Sequence, residues 1–393
     1  MTFALVMAGG GARGAYEAGV LRFVLSKLPQ RLGRPIGPDI ICGTSVGALN
    51  GAYIGAAPGD PSAPMRLSGM WREMDIKQVY RFEALDLLRS PFRIFGTGGQ
   101  EHRSLVDGAP LHQYVRDSFP WEGLRRAIDQ GRLRAFVVAA TDIASGRCVQ
   151  FVDQAPDNPK IGSHHAEVSV VHTRITAEHC LASSAIPFLF PAIAVDGQMM
   201  ADGSLRQNTP LSPALRFGAK KVLVVGVKRA MKDRTHTPYP DQDPTMAFLA
   251  GKALNALMLD PIEKDLRRLE VLNTILNWGT QTYGDDFLTQ LNEVVTPIRG
   301  AGYHSVETVF IRPSTDIGAI AAEAWRAQKS KAPRATRMLL ETIAAREAPS
   351  EADLLSYLLF DRSFTAELET LGYHDAQARE DELVAFFAPD SPL

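Results

Sequence analysis

Two glycine-rich turns near the start of the chain carry residue types that are suited to acyl transfer. One turn follows the apolar run at 4–8 and the other follows the run at 40–42; they read Gly9-Gly10-Gly11-Ala12-Arg13-Gly14 and Gly43-Thr44-Ser45-Val46-Gly47. A serine between a strand and a helix is held out as a nucleophile, and free N–H groups in a glycine loop can stabilise an oxyanion. Either motif alone is weak, but the two in this order predict an acyl-transfer site.

The first turn also satisfies the Gly-x-Gly-x-x-Gly fingerprint of dinucleotide-binding folds. That type of site needs an acidic residue at the end of the second strand, where it binds the ribose. In this chain Asp39 stands before the second strand, and the strand ends in Gly43-Thr44-Ser45. Because the ribose ligand is missing from the required position, the sequence argues against nucleotide binding.

The base that would activate Ser45 is predicted from a hairpin pattern. Asp196-Gly197 links two short apolar runs at 192–195 and 198–201, and Asp-Gly in such a link is a hairpin turn signal. Asp202-Gly203 comes at the end of the returning strand, where a side chain can project into a site. We therefore predict a structural role for Asp196 and a catalytic role for Asp202.

Four other titratable residues are weaker partners for the serine. Asp107 lies in an irregular part of the sequence, and Asp142, which follows a predicted strand at 135–140, suits a turn or a cap. His304 and His374 come after the aspartates, so either would complete a Ser-Asp-His order. Neither histidine has a supporting local motif, and a triad is the weaker hypothesis.

Short apolar strands alternate with helices along the chain, which is typical of an α/β layered sheet that is at least partly parallel. A strand at 3–8 precedes a helix at 15–29, and a strand at 39–42 precedes an almost uncharged helix at 46–57. Further strands are predicted at 135–140, 168–175, 192–195, 198–201, 222–227 and 308–311. Loops are predicted at 58–64 and 231–243, then a helical run and a polar glycine-rich stretch, and helices throughout 317–388.

The region between about 56 and 131 is irregular and has two interpretations. Within it, the stretch from Tyr80 to Gly99 mixes aromatic residues with arginines. An amphipathic lid over an apolar cleft would have this composition, and so would a helical insertion that packs its apolar side on the core.

The composition describes a globular protein without a strong charge bias. The chain has 393 residues, 45% hydrophobic residues and a net charge of −2, whereas nucleic-acid binders usually carry a basic patch. Its three cysteines form no CxxC pair, which suits reduced thiols in the cytoplasm. No signal peptide is recognisable, and no apolar run approaches the ~20 residues of a membrane-spanning helix. We expect a cytoplasmic protein that meets lipid from the aqueous side.

Together these residues resemble the patatin-like phospholipases, which are lipid acyl hydrolases with a Ser–Asp dyad, related in fold to the cytosolic phospholipases. The resemblance rests on the two glycine turns and Asp202-Gly203, and it covers roughly residues 3–228, or to 315. Two further stretches agree, namely Ala182-Ser183-Ser184-Ala185-Ile186-Pro187 up to Phe190-Pro191, and Asn208-Thr209-Pro210. One departure is Ser204, where the family usually has glycine or alanine.

The resemblance implies a three-layer α/β/α patatin-like fold with a mostly parallel central sheet in residues 1–315, followed by a helical C-terminal region, 316–393, of unknown role. It implies that Ser45 is the nucleophile and Asp202 the general base. The backbone N–H groups of Gly10 and Gly11 would form the oxyanion hole, with Arg13 supporting the loop. The motif-supporting glycines would be Gly9, Gly14, Gly43, Gly47 and Gly203. No metal and no cofactor is implied.

The expected function is that of a serine lipid acyl hydrolase, a phospholipase A-type enzyme or lysophospholipase. Its substrate would be a phospholipid or another acyl-ester lipid, reached through peripheral contact with a membrane, and nucleic acid is not an expected partner. Two alternatives use the same fold. An acyltransferase would pass the acyl group to an alcohol other than water, and a lipid-binding protein would keep the pocket with little turnover.

Overall fold

The computed structural model describes residues 2–81, 104, 106–163, 165–229, 256, 262–284, 286–328 and 353–389. Within these residues the chain forms one sheet of nine strands. The strands are β1 (Phe3–Met7), β2 (Ile40–Thr44), β3 (Ala135–Asp142), β4 (Cys148–Gln154), β5 (Val168–His172), β6 (Ile193–Val195), β7 (Gln198–Asp202), β8 (Lys221–Val225) and β9 (Glu307–Ile311).

The strand order is β5-β4-β3-β2-β1-β8-β9, with β7 paired to β3 and β6 paired to β7. The five strands from β3 to β9 in this order are parallel, whereas β4 and β7 run antiparallel to β3. Because β1 and β2 are parallel neighbours in the middle of the sheet, the two glycine turns that follow them meet at the same edge.

Helices cover both faces of the sheet, because alternate residues of its central strands point to opposite sides. In β1, Leu5 and Met7 belong to one buried cluster, while Ala4 and Val6 belong to the other. The helices are α1 (Gly14–Arg22), α2 (Leu28–Leu32), α3 (Val46–Gly55), α4 (Ser62–Arg72), α5 (Ala109–Ser118), α6 (Trp121–Asp129), α7 (Ala177–Ser183), α8 (Leu211–Arg216), α9 (Ile262–Tyr283), α10 (Asp286–Arg299), α11 (Ile317–Gln328), α12 (Asp353–Leu358), α13 (Arg362–Gln377) and α14 (Glu380–Phe387). The mostly parallel sheet between two helical layers confirms the predicted three-layer α/β/α architecture.

Most of the predicted elements are present in the structure. The hairpin of β6 and β7 has positive φ at both turn residues, 50° at Asp196 and 80° at Gly197, which is typical of tight hairpin turns. The predicted helix at 15–29 consists of α1, a π-helical turn at Phe23–Lys27 and α2. The predicted loop at 231–243 and most of the aromatic–arginine stretch lie outside the described residues.

Three details of the sequence interpretation were wrong or incomplete. The loop predicted at 58–64 ends early, because α4 begins at Ser62. Strand β4 was not predicted, since Gln150 and Asp153 interrupt its apolar pattern; both side chains are nevertheless buried and hydrogen-bonded. Helix α10 occupies part of the predicted glycine-rich stretch, and it was missed because none of its residues is buried and it contains Pro297.

The C-terminal helices pack on the amino-terminal part of the chain. Glu369 of α13 is fully buried, and its carboxylate forms ion pairs with Arg22 of α1 at 2.5 Å and Arg72 of α4 at 2.7 Å. The hydroxyl of Ser68 donates a third bond to it at 2.7 Å. Glu369 thus joins three helices. None of the described helices combines the length and the apolar composition that crossing a bilayer requires.

We expect Glu369→Ala to lower the free energy of unfolding by about 3 kcal/mol, because it removes one partner of a buried ion-pair network. Urea unfolding at neutral pH measures the loss. Glu367→Ala is the matched control, since Glu367 lies on the same helix but is exposed, and it should change stability by less than about 0.5 kcal/mol. Equal effects of the two substitutions would contradict a stabilising role for the network.

Candidate active site

Ser45 occupies the sharp turn between β2 and α3. Its φ is 54° and its ψ is −125°, a conformation that non-glycine residues rarely adopt. The N–H of Ser45 donates to Oγ of Ser183 at 2.7 Å, and the Ser183 hydroxyl donates to the carbonyl of Ala139 at 2.5 Å. The backbone of the serine is therefore held in a strained turn by a neighbouring helix and strand.

The two glycines of this turn allow three backbone segments to come close together. A Cβ atom at Gly43 would lie 2.5 Å from the carbonyl carbon of Gly47. A Cβ atom at Gly47 would lie 2.7 Å from the carbonyl oxygens of Met7 and Ala8. Both distances are shorter than real Cβ contacts, so side chains at these positions would push α3 away from the ends of β1 and β2.

The structure brings Asp202 beside Ser45 through the register of two strand pairs. Thr44 of β2 pairs with Ala139 of β3, and Asp202 of β7 pairs with the next residue of β3, Ala140. The pairing partner of β3 therefore changes from β2 to β7 between these two residues. Ser45 follows Thr44 along the chain, and Asp202 occupies the position after Thr44 along β3. The two residues are therefore neighbours. The glycine that follows, Gly203, packs against the same strand, since its Cβ would lie 2.1 Å from the carbonyl oxygen of Ala139.

The carboxyl group of Asp202 is fully buried. Its Oδ1 accepts a hydrogen bond from the N–H of Ser204 at 2.8 Å, whereas Oδ2 has no hydrogen-bond partner in the described part of the chain. Burial raises the pKa of Asp202 to about 6, and contacts with the Ser204 N–H and with the hydroxyls of Ser45 and Ser204 partly lower it. An ionised Asp202 thus has an acceptor oxygen close to the Ser45 hydroxyl.

The first glycine turn contacts the same serine. The N–H of Gly9 donates to the side-chain and backbone oxygens of Asn208, at 2.9 and 3.1 Å. A Cβ atom at Gly9 would lie 3.1 Å from Cβ of Ser45 and 2.2 Å from Oγ of Ser204. Gly9 therefore has to be a glycine for the loop, the serine and the aspartate turn to meet.

The next residues of this loop are Gly10 and Gly11, whose backbone N–H groups were predicted to form the oxyanion hole. Gly11 has a φ of 55° and lies in the lining of the pocket that also contains Ser45. The N–H groups of Gly10 and Gly11 donate to no residue that the structure describes. These N–H groups are thus available to an oxyanion. The loop continues into α1 at Gly14, which packs on Val46 of α3.

Arg13 points away from the reacting groups and towards α12. Its Nε donates to Oγ of Ser356 at 2.8 Å, and its guanidinium carbon lies 4.1 Å from the ring centre of Tyr357. Both contacts are buried. The side chain of Arg13 therefore supports the glycine loop from behind rather than placing its charge at the serine.

Ser45 opens onto an apolar pocket of about 640 Å³, counting the part that is open to solvent. Helix α3 forms its floor, and α4 and α5, which belong to the irregular insertion, form much of its wall. The lining comprises Gly11, Ser45, Val46, Leu49, Asn50, Leu67, Met70, Trp71, Met74, Val79, Leu111, Tyr114, Val115, Phe119, Ser184, Ile186, Phe190 and Phe360. Among the described residues, no group of His, Cys, Asp and Glu side chains is arranged to hold a metal ion.

The other titratable residues considered above are engaged elsewhere. His304 contacts the carbonyl of Ala219, and His374 contacts the side chain of Gln377, so neither faces Ser45. Asp196 is exposed at the tip of its hairpin. Asp39 accepts a hydrogen bond from the N–H of Phe3, at the opposite end of β1 from the glycine loop. Asp107 accepts one from the N–H of Ala109. Asp142 accepts one from the N–H of Ser145 in the β3–β4 turn.

Sequence reasoning assigned no role to three residues that hold the site. Ser183 and Asn208 lie in stretches that resemble the family, so a position-by-position interpretation of those stretches would have found them. Ser356 lies in a helical region with no recognisable motif, and its contact with Arg13 spans more than three hundred residues of sequence. No local signal identifies such a residue.

Comparison with known proteins finds a family model and distant relatives that match part of this chain. A family model described as patatin-like phospholipase matches residues 5–215. The patatin-like phospholipase domain-containing protein ZK370.4 of Caenorhabditis elegans is 25% identical over 232 residues, which cover 57% of this chain and 13% of that protein. Lysophospholipase NTE1 of Cryptococcus neoformans is 22% identical over 223 residues, covering 57% of this chain and 11% of that protein. The similarity thus spans only about an eighth of these longer relatives.

Among solved structures, VipD from Legionella pneumophila aligns with 97% of this chain and 67% of its own chain. The sequence identity is 11% and the TM-score is 0.36. At this level the overlap adds nothing to the assignment of the fold, which depends on the strand order and on the two glycine turns.

Replacing Asp202 by asparagine should stabilise the fold at neutral pH. The pKa of this carboxyl rises from 3.8 to about 6 on folding, so the unfolded state ionises at lower pH than the folded state. The free energy of unfolding therefore falls as the pH rises between those values, by at most about 3 kcal/mol. Asparagine carries no charge, so we expect Asp202→Asn to be about 2 kcal/mol more stable than the wild type at pH 7, with the difference vanishing near pH 4.

Urea unfolding at the two pH values measures this difference. Asp196→Asn is the matched control, because the exposed Asp196 should give no gain that depends on pH. A loss of stability in Asp202→Asn that is equal at both pH values would show that the buried charge is not destabilising.

Proposed function

The chain belongs to the patatin-like phospholipase family, and we propose that it is a serine lipid acyl hydrolase that forms an acyl-enzyme on Ser45. One observation carries the proposal. The carboxyl group of the buried Asp202 contacts the hydroxyl of Ser45, and Ser45 lines an apolar pocket. A nucleophile, a base and an acyl-binding surface are therefore adjacent.

In the proposed reaction, Asp202 accepts the proton of the Ser45 hydroxyl while Oγ attacks the ester carbonyl carbon. The N–H groups of Gly10 and Gly11 and the amino-terminal end of α3 stabilise the oxyanion that forms. Collapse of this intermediate releases the alcohol or lysolipid, which takes the proton from Asp202. Asp202 then takes a proton from the water that attacks the acyl-enzyme, and returns this proton to Oγ of Ser45 as the fatty acid leaves.

The raised pKa of Asp202 supports its role as the base. A carboxylate of ordinary pKa is a poor acceptor for a serine proton, and burial moves the pKa of Asp202 to about 6, nearer to the pH of the reaction. The remaining difference in basicity must be offset by the oxyanion hole, where a single donor is typically worth about 10²–10³ in rate.

The pocket supports a lipid acyl chain as the substrate group. Its lining is apolar apart from a few hydroxyl and amide side chains, and such a surface suits a hydrocarbon chain better than a polar group. We propose that the ester belongs to a phospholipid or lysophospholipid and that the enzyme works at membrane surfaces in the cytoplasm. The three buried, unpaired cysteines suit a reducing compartment.

Fluorophosphonate labelling tests the nucleophile. We expect one adduct by intact mass on the wild type and none on Ser45→Ala, together with loss of p-nitrophenyl ester turnover. Asp202→Asn should lower turnover about 10³-fold, which is typical for loss of a general base, whereas Asp196→Asn should stay within about twofold of the wild type. Equal losses in the two folded aspartate variants would overturn the assignment of the base.

The pH dependence of kcat/KM tests the base separately. Only the ionised carboxylate can accept the serine proton, so kcat/KM should rise with pH and level off above an apparent pKa of about 6. Below that value it should fall about tenfold for each pH unit. A flat profile between about pH 5 and pH 7, on protein that stays folded, is inconsistent with Asp202 as the base.

A further inference from the structure

The segment 353–360 belongs to the C-terminal region, outside the residues that match the family model. It contacts the glycine loop at 9–14, which itself contacts Ser45. Its Ser356 and Tyr357 hold the Arg13 side chain. The backbone of this segment also lies against the glycine loop, since a Cβ atom at Gly11 would be 2.4 Å from the carbonyl oxygen of Tyr357. The segment therefore packs directly against the glycine loop.

Phe360, at the end of this segment, reaches into the pocket itself. Its ring stacks on Trp71 with 6.3 Å between the ring centres and 19° between the planes, and its edge faces Tyr80 at 6.5 Å. Trp71 is held by a bond from its indole N–H to Asn50, and the Tyr80 hydroxyl donates to the carbonyl of Leu358 at 2.9 Å. Phe360 therefore lies between two aromatic side chains that are themselves held by hydrogen bonds.

We propose that Phe360 determines which acyl groups the pocket accepts. The proposal rests on the proposed acyl-hydrolase function and adds a specificity-determining residue to it. Closely packed side chains do not yield freely to extra methylene groups, and one methylene in an apolar pocket changes selectivity about tenfold or more. The size of this ring therefore limits the size of the acyl group.

The residues proposed for the reaction and the residue proposed for acyl selectivity lie in different parts of the chain. Ser45, Asp202 and the glycine loop lie within residues 5–215, which match the family model, whereas Phe360 lies outside that range. In the described part of the chain, the ring contacts of Phe360 are with Trp71 and Tyr80. Changes at Phe360 should consequently alter the preference among substrates more than the rate with the best substrate.

Two substitutions of opposite size test the proposal. Using p-nitrophenyl butyrate, laurate and palmitate, we expect Phe360→Leu to raise the ratio of kcat/KM for palmitate over butyrate about tenfold. Phe360→Trp should lower the same ratio. Phe364→Leu is the matched control, because Phe364 is fully buried in the adjoining helix α13 but does not line the pocket, and it should leave the ratio unchanged.

Binding of free fatty acids provides a readout that does not require turnover. Displacement of a fluorescent fatty acid by butyrate, laurate and palmitate should show the same two opposite shifts. If both folded Phe360 variants kept the wild-type profile in binding and in turnover, the proposal would be wrong. If the wild type bound fatty acids but never labelled with fluorophosphonate, the proposed hydrolase function would fail, while the binding profiles would still decide the role of Phe360.

Discussion

The position of β7 on β3 is the constraint on which the site depends. Strand β3 continues past the end of β2, so its last residues are free to pair with β7 and to place Asp202 next to Ser45. In a pleated strand, a shift of one residue would move the Asp202 side chain to the other face of the sheet. The tight turn at Asp196-Gly197 fixes how β7 pairs with β6, and β7 in turn pairs with β3 so that Asp202 lies opposite Ala140.

The site concentrates unfavourable features that the surrounding structure stabilises. Ser45 has a positive φ, which costs about 1–3 kcal/mol for a non-glycine residue, and Asp202 is a fully buried carboxyl group. Ser183 satisfies the N–H of the strained serine, and Asn208 satisfies the N–H of Gly9. Groups held in this way are ready to react, because little reorganisation is needed when charge develops on the substrate.

The pocket is assembled from parts that lie far apart in the sequence. Helix α3 continues directly from the nucleophile turn, α4 and α5 come from the insertion, and Phe360 comes from the C-terminal region. Glu369 connects the C-terminal region to the insertion, since its buried carboxylate pairs with Arg72 of α4 as well as with Arg22 of α1. The C-terminal helices therefore belong to the same packed core as the sheet.

The sequence by itself determined the features that depend on neighbouring residues. Glycines at 43 and 47 around Ser45 indicate a sharp strand-to-helix turn, and Asp196-Gly197 indicates the hairpin that ends at Asp202; both turns are present in the structure. Only the tertiary structure decided which distant groups meet. Buried polar residues concealed β4, and no local pattern could place Ser356 against Arg13 or Phe360 beside Trp71. Such contacts depend on how whole helices pack, and packing is a property of the complete fold rather than of any short stretch of sequence.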